Sequence, residues 1–91
     1  MRKAVVRHGD PTTTGGLVVA QSSKRFDNGK IVALDGDEAT CGDCSGIFKI
    51  LGTGKGMDEK NRCAVVEQDL VLCPCGKNRV LVGKNPGIFI G

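Results

Sequence analysis

The chain has 91 residues with three Phe, no Trp and no Tyr, which indicates one small domain with a modest core. Its net charge is +3, from 13 basic and 10 acidic side chains that are scattered along the chain. Nucleic-acid surfaces usually combine a basic stripe with aromatic stacking residues, so we expect no nucleic-acid partner. No apolar run approaches the length of a membrane helix, and no signal-peptide stretch follows the first residues. We therefore expect no membrane anchor, no signal peptide, and synthesis in a reducing cytoplasm.

Short runs of β-branched and other apolar residues predict an all-β fold. No stretch has apolar residues at helical spacing over two or more turns. The runs are separated by Gly, Asp, Asn and Pro, which is typical of short strands joined by tight turns. Asn28 and Gly29 predict a hairpin, because both central residues of the favoured turn have positive φ. In chain order the predicted strands lie at 4–6, 17–20, 30–34, 47–51, 63–66 and 80–82.

The chain repeats one pattern three times: a short strand, an Asp, a marked position four residues later, and a glycine before the next strand. Three equivalent hairpins with pseudo-threefold symmetry would bring the three marked loops together at one end. The repeated Asp10, Asp37 and Asp69 are expected to stabilise turns rather than to catalyse a reaction. The connection at 52–61 contains turn residues, and the run LGTGKG at 51–56, which lacks the residues of a phosphate loop, is predicted to be a flexible hairpin turn. The marked positions are Thr14, Cys41 and Cys73, and the glycines are Gly16, Gly46 and Gly76.

Four of the five cysteines form two close pairs, CGDC at 41–44 and CPC at 73–75. In a reducing compartment such pairs are more typical of metal binding than of disulfides. Structural zinc takes four tetrahedral ligands, for which thiolates are well suited, and Pro74 helps to hold the second pair toward one point. The predicted zinc ligands are Cys41, Cys44, Cys73 and Cys75.

Other interpretations of the cysteines stay open. Four thiolates also suit iron of the rubredoxin type, and the thiols could instead be buried, partly free or active in redox chemistry. Cys63 aligns with Ile31 in the repeat and is expected to be a small core residue. His8 is the single histidine and precedes a Gly-Asp turn, which makes it a weaker candidate for the metal.

Three segments of the sequence resemble the PAAR-domain family, the tip proteins of type VI secretion spikes: RHGDPTTTGG, DNGKIVALDGDEATC and DLVLCPCGKNRV. The resemblance covers nearly the whole chain from about Val5. It implies a small cone of β-hairpins with zinc near the apex and a base that sits on a trimeric VgrG-type spike, one monomer per trimer. Two features depart from the family. Thr14 stands where the first repeat would supply a ligand to a histidine-rich set, and the naming tetrad reads IVAL at 31–34.

The resemblance also implies a structural protein rather than an enzyme, which caps and sharpens the spike and helps to attach or deliver effectors. Such a protein is cytoplasmic during assembly and is then delivered with the spike. We expect a single PAAR-like domain over 1–91 without a fused effector domain, with repeats at about 4–31, 32–63 and 64–91. A free-standing cytosolic zinc-binding interaction module, a small redox or iron protein, and the tip of a phage-like tail are the alternatives.

Overall fold

The computed structural model describes residues 3–59 and 61–90 and builds them from strands, bridges and turns. Residues 1, 2, 60 and 91 lie outside it, including the start of the chain and one position of the connection at 52–61. Across the described residues no helix could span a membrane. The predicted all-β fold of short strands and hairpins is confirmed. In chain order the strands are β1 (Lys3–Ala4), β2 (Val18–Val19), β3 (Phe26–Asp27), β4 (Lys30–Ile31), β5 (Glu38–Thr40), β6 (Ile47–Lys49), β7 (Gly54–Glu59), β8 (Arg62–Ala64) and β9 (Phe89–Ile90).

Three antiparallel strand pairs recur around the molecule. β3 pairs with β4 through the predicted turn, where Asn28 and Gly29 have φ of 53° and 79°. β7 pairs with β8. β1 pairs with β9, so residues from the two ends of the described chain form a pair in the same register as β3 and β4. β2, β5 and β6 form a further sheet in the order β2-β5-β6.

A closed ring of backbone hydrogen bonds joins one residue from each repeat. The N–H of Val6 donates to the oxygen of Val65 at 2.8 Å, Val65 donates to Ala33 at 2.9 Å, and Ala33 donates back to Val6 at 2.9 Å. A second set of three backbone hydrogen bonds lies next to the ring and links the same repeats. Its three bonds again join equivalent residues. These bonds are His8 to Ile31, Asp35 to Cys63, and Glu67 to Ala4. The backbone therefore has the predicted pseudo-threefold arrangement.

The repeated aspartates each hold a turn, as predicted. Each carboxylate accepts the backbone N–H of the residue three positions earlier, at 2.8–2.9 Å. The residue before each aspartate has positive φ, which glycine supplies in two repeats and glutamine in the third. The donors are Arg7, Leu34 and Val66, the acceptors are Asp10, Asp37 and Asp69, and the positive-φ residues are Gly9, Gly36 and Gln68.

The core is aliphatic and thin, as the composition predicts. Its larger cluster lies around the backbone ring, and Ile31 and Phe48 pack against it. A smaller cluster consists of Val5, Val32, Ala64 and Val66, with Ile88 and Ile90 packed against it. The larger cluster contains Val6, Val18, Ala20, Ala33, Ala39, Ile50, Val65, Val71 and Val80.

The prediction of a flexible hairpin turn at 51–56 is wrong, because a strand begins within it. β7 occupies Gly54–Glu59 and is the longest strand among the described residues. Its pairing with β8 and the carboxylate of Glu59, which accepts from the Ser23 hydroxyl and the Lys24 N–H at 2.8 Å each, hold the segment in place. Strand formation depends strongly on such tertiary context, so a glycine-containing segment without a β-branched run still forms a strand.

A buried cation joins the first repeat to the segment before β9. Arg7 is fully buried, and its guanidinium forms ion pairs with Asp10 and Asp27 at 2.8 Å each. It also donates to the backbone oxygen of Lys84 at 2.8 Å, and Asp27 accepts the N–H of Gly87 at 2.9 Å. We call Arg7, Asp10 and Asp27 the arginine clamp.

Candidate metal centre

Local backbone structure turns the marked positions Cys41 and Cys73 inward. Cys41 lies two residues after Ala39, and Cys73 lies two residues after Val71. Ala39 and Val71 are fully buried core residues. Because side chains two apart on a strand share a face, Cys41 continues the inward face of β5 just beyond the core. Cys73 follows the isolated bridge of Val71, and the bond from its N–H to the Val71 oxygen closes a tight turn there. The exposed fraction of both cysteines is 8%. Local backbone structure therefore aims two thiols from different repeats at one point.

The four predicted ligands come together. The sulfur atoms of Cys41, Cys44, Cys73 and Cys75 all lie within 4.8 Å of one another. Cys41 Sγ is 3.7 Å from both Cys73 Sγ and Cys75 Sγ, and the last two are 3.2 Å apart. Tetrahedral zinc with Zn–S bonds of about 2.3 Å requires sulfurs about 3.8 Å apart, so the cluster has the size that a four-thiolate ion needs. No other group of three or more such ligands occurs among the described residues.

A tight turn holds the second pair. The N–H of Gly76 donates to the oxygen of Cys73 at 3.1 Å, which closes a four-residue turn with Pro74 at its second position. Gly76 leaves this turn with φ of 70°. The N–H of Cys73 donates to Val71 at 2.9 Å. Because Pro74 fixes one backbone angle, the turn presents the thiols of Cys73 and Cys75 to the same side.

The cysteine environments favour different protonation states. A hydrogen bond from the Thr14 hydroxyl, assisted by the Asp43 N–H and the neighbouring thiols, outweighs burial and lowers the pKa of Cys41 to about 6. Burial and the neighbouring thiols raise the pKa of Cys73 to about 11. Burial also raises the pKa of Cys44. A metal that binds all four as thiolates must therefore displace protons, as is general for cysteine sites.

The first repeat reaches the cluster through Thr14. Its hydroxyl oxygen lies 3.3 Å from Cys41 Sγ and accepts the N–H of Gly42 at 3.1 Å. The hydroxyl also lies 2.9 Å from Oδ1 of Asn78, whose Nδ2 donates to the oxygen of Thr40 at 3.1 Å. Asn78 is fully buried. Sequence reasoning missed Asn78, because its equivalents in the backbone pairing, a glycine and a phenylalanine, share no chemistry with it.

Comparison with known proteins adds the family. A family model described as the PAAR motif matches residues 8–76, about three quarters of the chain, and the match includes all four clustered cysteines. The chain belongs to the PAAR-motif family. No curated protein and no solved structure matches it. In this PAAR-motif chain the second and third repeats supply the clustered cysteines, whereas the first repeat supplies Thr14.

Two other sequence candidates lie away from the cluster. Nδ1 of His8 accepts the N–H of Ala20 at 3.1 Å, and His8 is absent from the described ligand group. Cys63 lies in β8, half-buried and outside both core clusters, so the expectation that it is a core residue is wrong. Burial and the neighbouring Asp58 carboxylate raise the pKa of its thiol. The alignment of Cys63 with Ile31 is confirmed, since their backbone oxygens accept equivalent ring bonds.

Proposed function

We propose that this PAAR-motif protein is a non-enzymatic spike tip. It caps the trimeric VgrG-type spike of a type VI secretion system with one monomer per trimer, and the cysteine cluster holds zinc at its point. Membership of the PAAR-motif family supports this function. The observation that carries the proposal is the closed hydrogen-bond ring of Val6, Val65 and Ala33, because it gives one chain three equivalent sides. A pseudo-threefold monomer can match the three identical subunits of a spike.

The proposed spike-binding surface lies at the strand pairs β3–β4, β7–β8 and β1–β9. In chain order β3, β7 and β9 come after the loops that contain Thr14, Cys41 and Cys73, respectively. Phe26 in β3 and Phe89 in β9 occupy equivalent positions, opposite Ile31 and Ala4 respectively. Phe26 and Phe89 are 60% and 43% exposed, so two of the three aromatic side chains of the chain lie at the surface. Exposed aromatic side chains are common anchors of protein interfaces. They offer repeated apolar contacts to a threefold partner.

Zinc gives the proposed point its rigidity. The ligands Cys41 and Cys44 belong to the second repeat, and Cys73 and Cys75 belong to the third. An ion bound by both pairs cross-links loops about thirty residues apart in sequence, in a region where little apolar surface is available for burial. In small zinc domains such binding contributes on the order of 10 kcal/mol to folding. The proposed role of the metal is mechanical, and iron is the alternative occupant for four thiolates.

The stoichiometry of the complex tests the proposed function. The purified chain is mixed with a trimeric spike fragment from the same genome, and the mass of the complex is measured by light scattering on a sizing column. We expect one chain per trimer. The paired change Phe26→Ser with Phe89→Ser should weaken the complex. Leu17→Ser is the matched control, because Leu17 is 54% exposed but contacts Thr40, the residue before Cys41.

A folded, metal-loaded chain that forms no complex would contradict the spike-tip function and favour a free-standing zinc-binding interaction module. Elemental analysis of the same sample identifies the metal, and one zinc per chain is expected. One iron per chain with a visible colour would instead favour the small iron protein. Effector attachment and delivery with the spike belong to the same proposal. They are tested by detecting the chain outside cells only when the secretion system is intact.

A further inference from the structure

The candidate ligands leave one repeat without a direct part in the cluster. The second and third repeats each give two cysteines, and Thr14 of the first repeat occupies the position equivalent to Cys41 and Cys73. A hydroxyl is a poor zinc ligand beside four thiolates, which already complete a tetrahedral site. Thr14 nevertheless lies in contact with the cluster, with its oxygen 3.3 Å from Cys41 Sγ.

The surroundings of Thr14 hold its hydroxyl oxygen in place and limit the groups to which it can donate. The N–H of Gly42 donates to the hydroxyl oxygen at 3.1 Å, which leaves the hydroxyl hydrogen to be donated elsewhere. A Cβ at Gly42 would overlap the backbone oxygen of Thr14, so the two loops are in close backbone contact. The loop of the first repeat is therefore held against the residue that follows Cys41.

Two acceptors compete for the single hydroxyl hydrogen. Oδ1 of Asn78 lies 2.9 Å from the Thr14 oxygen, and Cys41 Sγ lies 3.3 Å from it. The second distance is ordinary for a hydrogen bond to the larger sulfur atom. A sulfur bound to a metal carries no proton and is an acceptor, and its negative charge makes it the stronger acceptor of the two. Asn78, buried and anchored to Thr40, keeps the hydroxyl within reach of both.

We propose that Thr14 is a positioning residue of the metal centre, which donates its hydroxyl hydrogen to the metal-bound sulfur of Cys41 and so connects the first repeat to the ion. This inference rests on the metal site of the proposed function but not on spike binding. Hydrogen bonds to metal-bound sulfur orient the ligand and tune its electronic properties. Thr14 thus replaces a missing ligand by an indirect contact, and all three repeats take part in the centre.

Paired substitutions test the inference on the full chain. Thr14→Val keeps the shape of the side chain and removes the donor, whereas Thr14→Ser keeps the donor and is the control. Zinc affinity is measured by competition with a coloured chelator. We expect Thr14→Val to lose affinity by about tenfold or more, the usual effect of removing a partner of a metal ligand. Thr14→Ser should bind zinc like the unaltered chain.

A spectroscopic measurement separates a donor from a merely structural residue. In the cobalt-loaded chain, loss of the hydrogen bond raises the energy of the sulfur lone pair. The sulfur-to-cobalt charge-transfer band should therefore move to longer wavelength in Thr14→Val and stay in place in Thr14→Ser. If Thr14→Val does not fold, Thr14→Ala gives the same reading with a smaller side chain.

Three results would overturn the inference. Unchanged affinity and band position in Thr14→Val would show that the hydroxyl does not act on the metal-bound sulfur. Reduced affinity with an unchanged band would show that Thr14 only packs the loop. Failure of the unaltered chain to bind zinc or cobalt would remove the metal site and this inference together. Spike stoichiometry is measured separately, so its failure leaves the affinity and band results intact.

Discussion

The cysteine cluster and the arginine clamp fasten the same pseudo-threefold backbone by different chemistry. The cluster joins the second repeat to the third through Cys41 and Cys73, whose sulfurs are 3.7 Å apart. The clamp joins the first repeat to the segment before β9, because Arg7 donates to the oxygen of Lys84 at 2.8 Å and Asp27 accepts the N–H of Gly87 at 2.9 Å. The clustered thiols need a bound ion to hold them together. In the arginine clamp the guanidinium already pairs with two carboxylates, so no ion is needed. The two regions should therefore fail independently.

The clamp also shows how symmetry is broken inside the repeat. Asp37 and Asp69 each accept a hydrogen bond from a hydroxyl, that of Ser22 at 2.7 Å and that of Thr53 at 2.5 Å. Asp37 also pairs with the guanidinium of Arg62 at 3.2 Å, whereas Asp10 pairs with the fully buried guanidinium of Arg7 at 2.8 Å. Burial by itself would lower the pKa of Arg7, but the hydrogen bonds to both carboxylates and their negative charges together outweigh it and raise the pKa. The three equivalent aspartates therefore have different side-chain partners.

Breaking the cysteine cluster should give the largest effect. Cys73→Ser, or removal of the metal with a chelator, is expected to lower the free energy of unfolding by several kcal/mol, a part of the binding energy of a structural zinc. Chemical unfolding with and without metal measures the loss. Cys63→Ser is the control, because Cys63 lies outside the cluster. Equal stability of Cys73→Ser and Cys63→Ser would contradict a structural metal.

Breaking the arginine clamp should give the next largest effect. Arg7→Met leaves Asp10 and Asp27 buried without their cation, and removing one partner of a buried pair costs about 3–5 kcal/mol. The loss should persist in chelator, since the clamp needs no ion. Arg25→Met is the control, because its pair with Glu59 is 3.6 Å long and Arg25 is 48% exposed. A similar loss from both substitutions would show that burial does not decide the strength of these pairs.

Crowding the contact between two loops should have a smaller effect. Gly42→Ala introduces a Cβ that overlaps the backbone oxygen of Thr14, and such overpacking costs about 1–3 kcal/mol. Because the loops must separate, zinc affinity should fall as well. Ser45→Ala tests the same loop at an exposed position and should leave both quantities unchanged. Unchanged zinc affinity in Gly42→Ala would mean that the contact of the first repeat is dispensable for metal binding.

The smallest effect should come from Asp27→Asn, which keeps an acceptor for Arg7. Burial by itself would raise the pKa of Asp27, but hydrogen bonds from Gly87 and Arg7 outweigh it and lower the pKa below 3.8. A group with a lowered folded pKa stabilises the fold above its unfolded pKa, and this contribution is lost as the pH falls through the folded pKa.

The stability gap between the unaltered chain and Asp27→Asn should therefore be full above about pH 4 and close below it. Urea unfolding of the metal-free chains across acidic pH measures the gap. Removing the metal is necessary because protonation of thiolates also releases zinc. A gap that stays constant down to the lowest pH would show that the charge of Asp27 contributes nothing.

Much of the candidate site could be predicted from the sequence. The two cysteine pairs lie at fixed places in a repeat, and the alternation of residues along β5 turns Cys41 inward without help from distant residues. Asn78 could not be predicted, since its importance depends on Thr14 and Thr40, which belong to other repeats. For Cys63 the sequence predicted the position in the repeat but not the burial of the side chain. The burial depends on neighbours that the alignment does not reveal.

The sequence by itself determined the all-β class, the hairpin at Asn28 and Gly29, and the four candidate ligands. Strand alternation, turn residues and cysteine spacing are local properties, so they can be recognised without the fold. Only the tertiary structure decided that the segment at 54–59 is a strand and that Arg7 is buried between Asp10 and Asp27. Each of these depends on a partner far away in the chain, whose position follows from the closure of the three repeats.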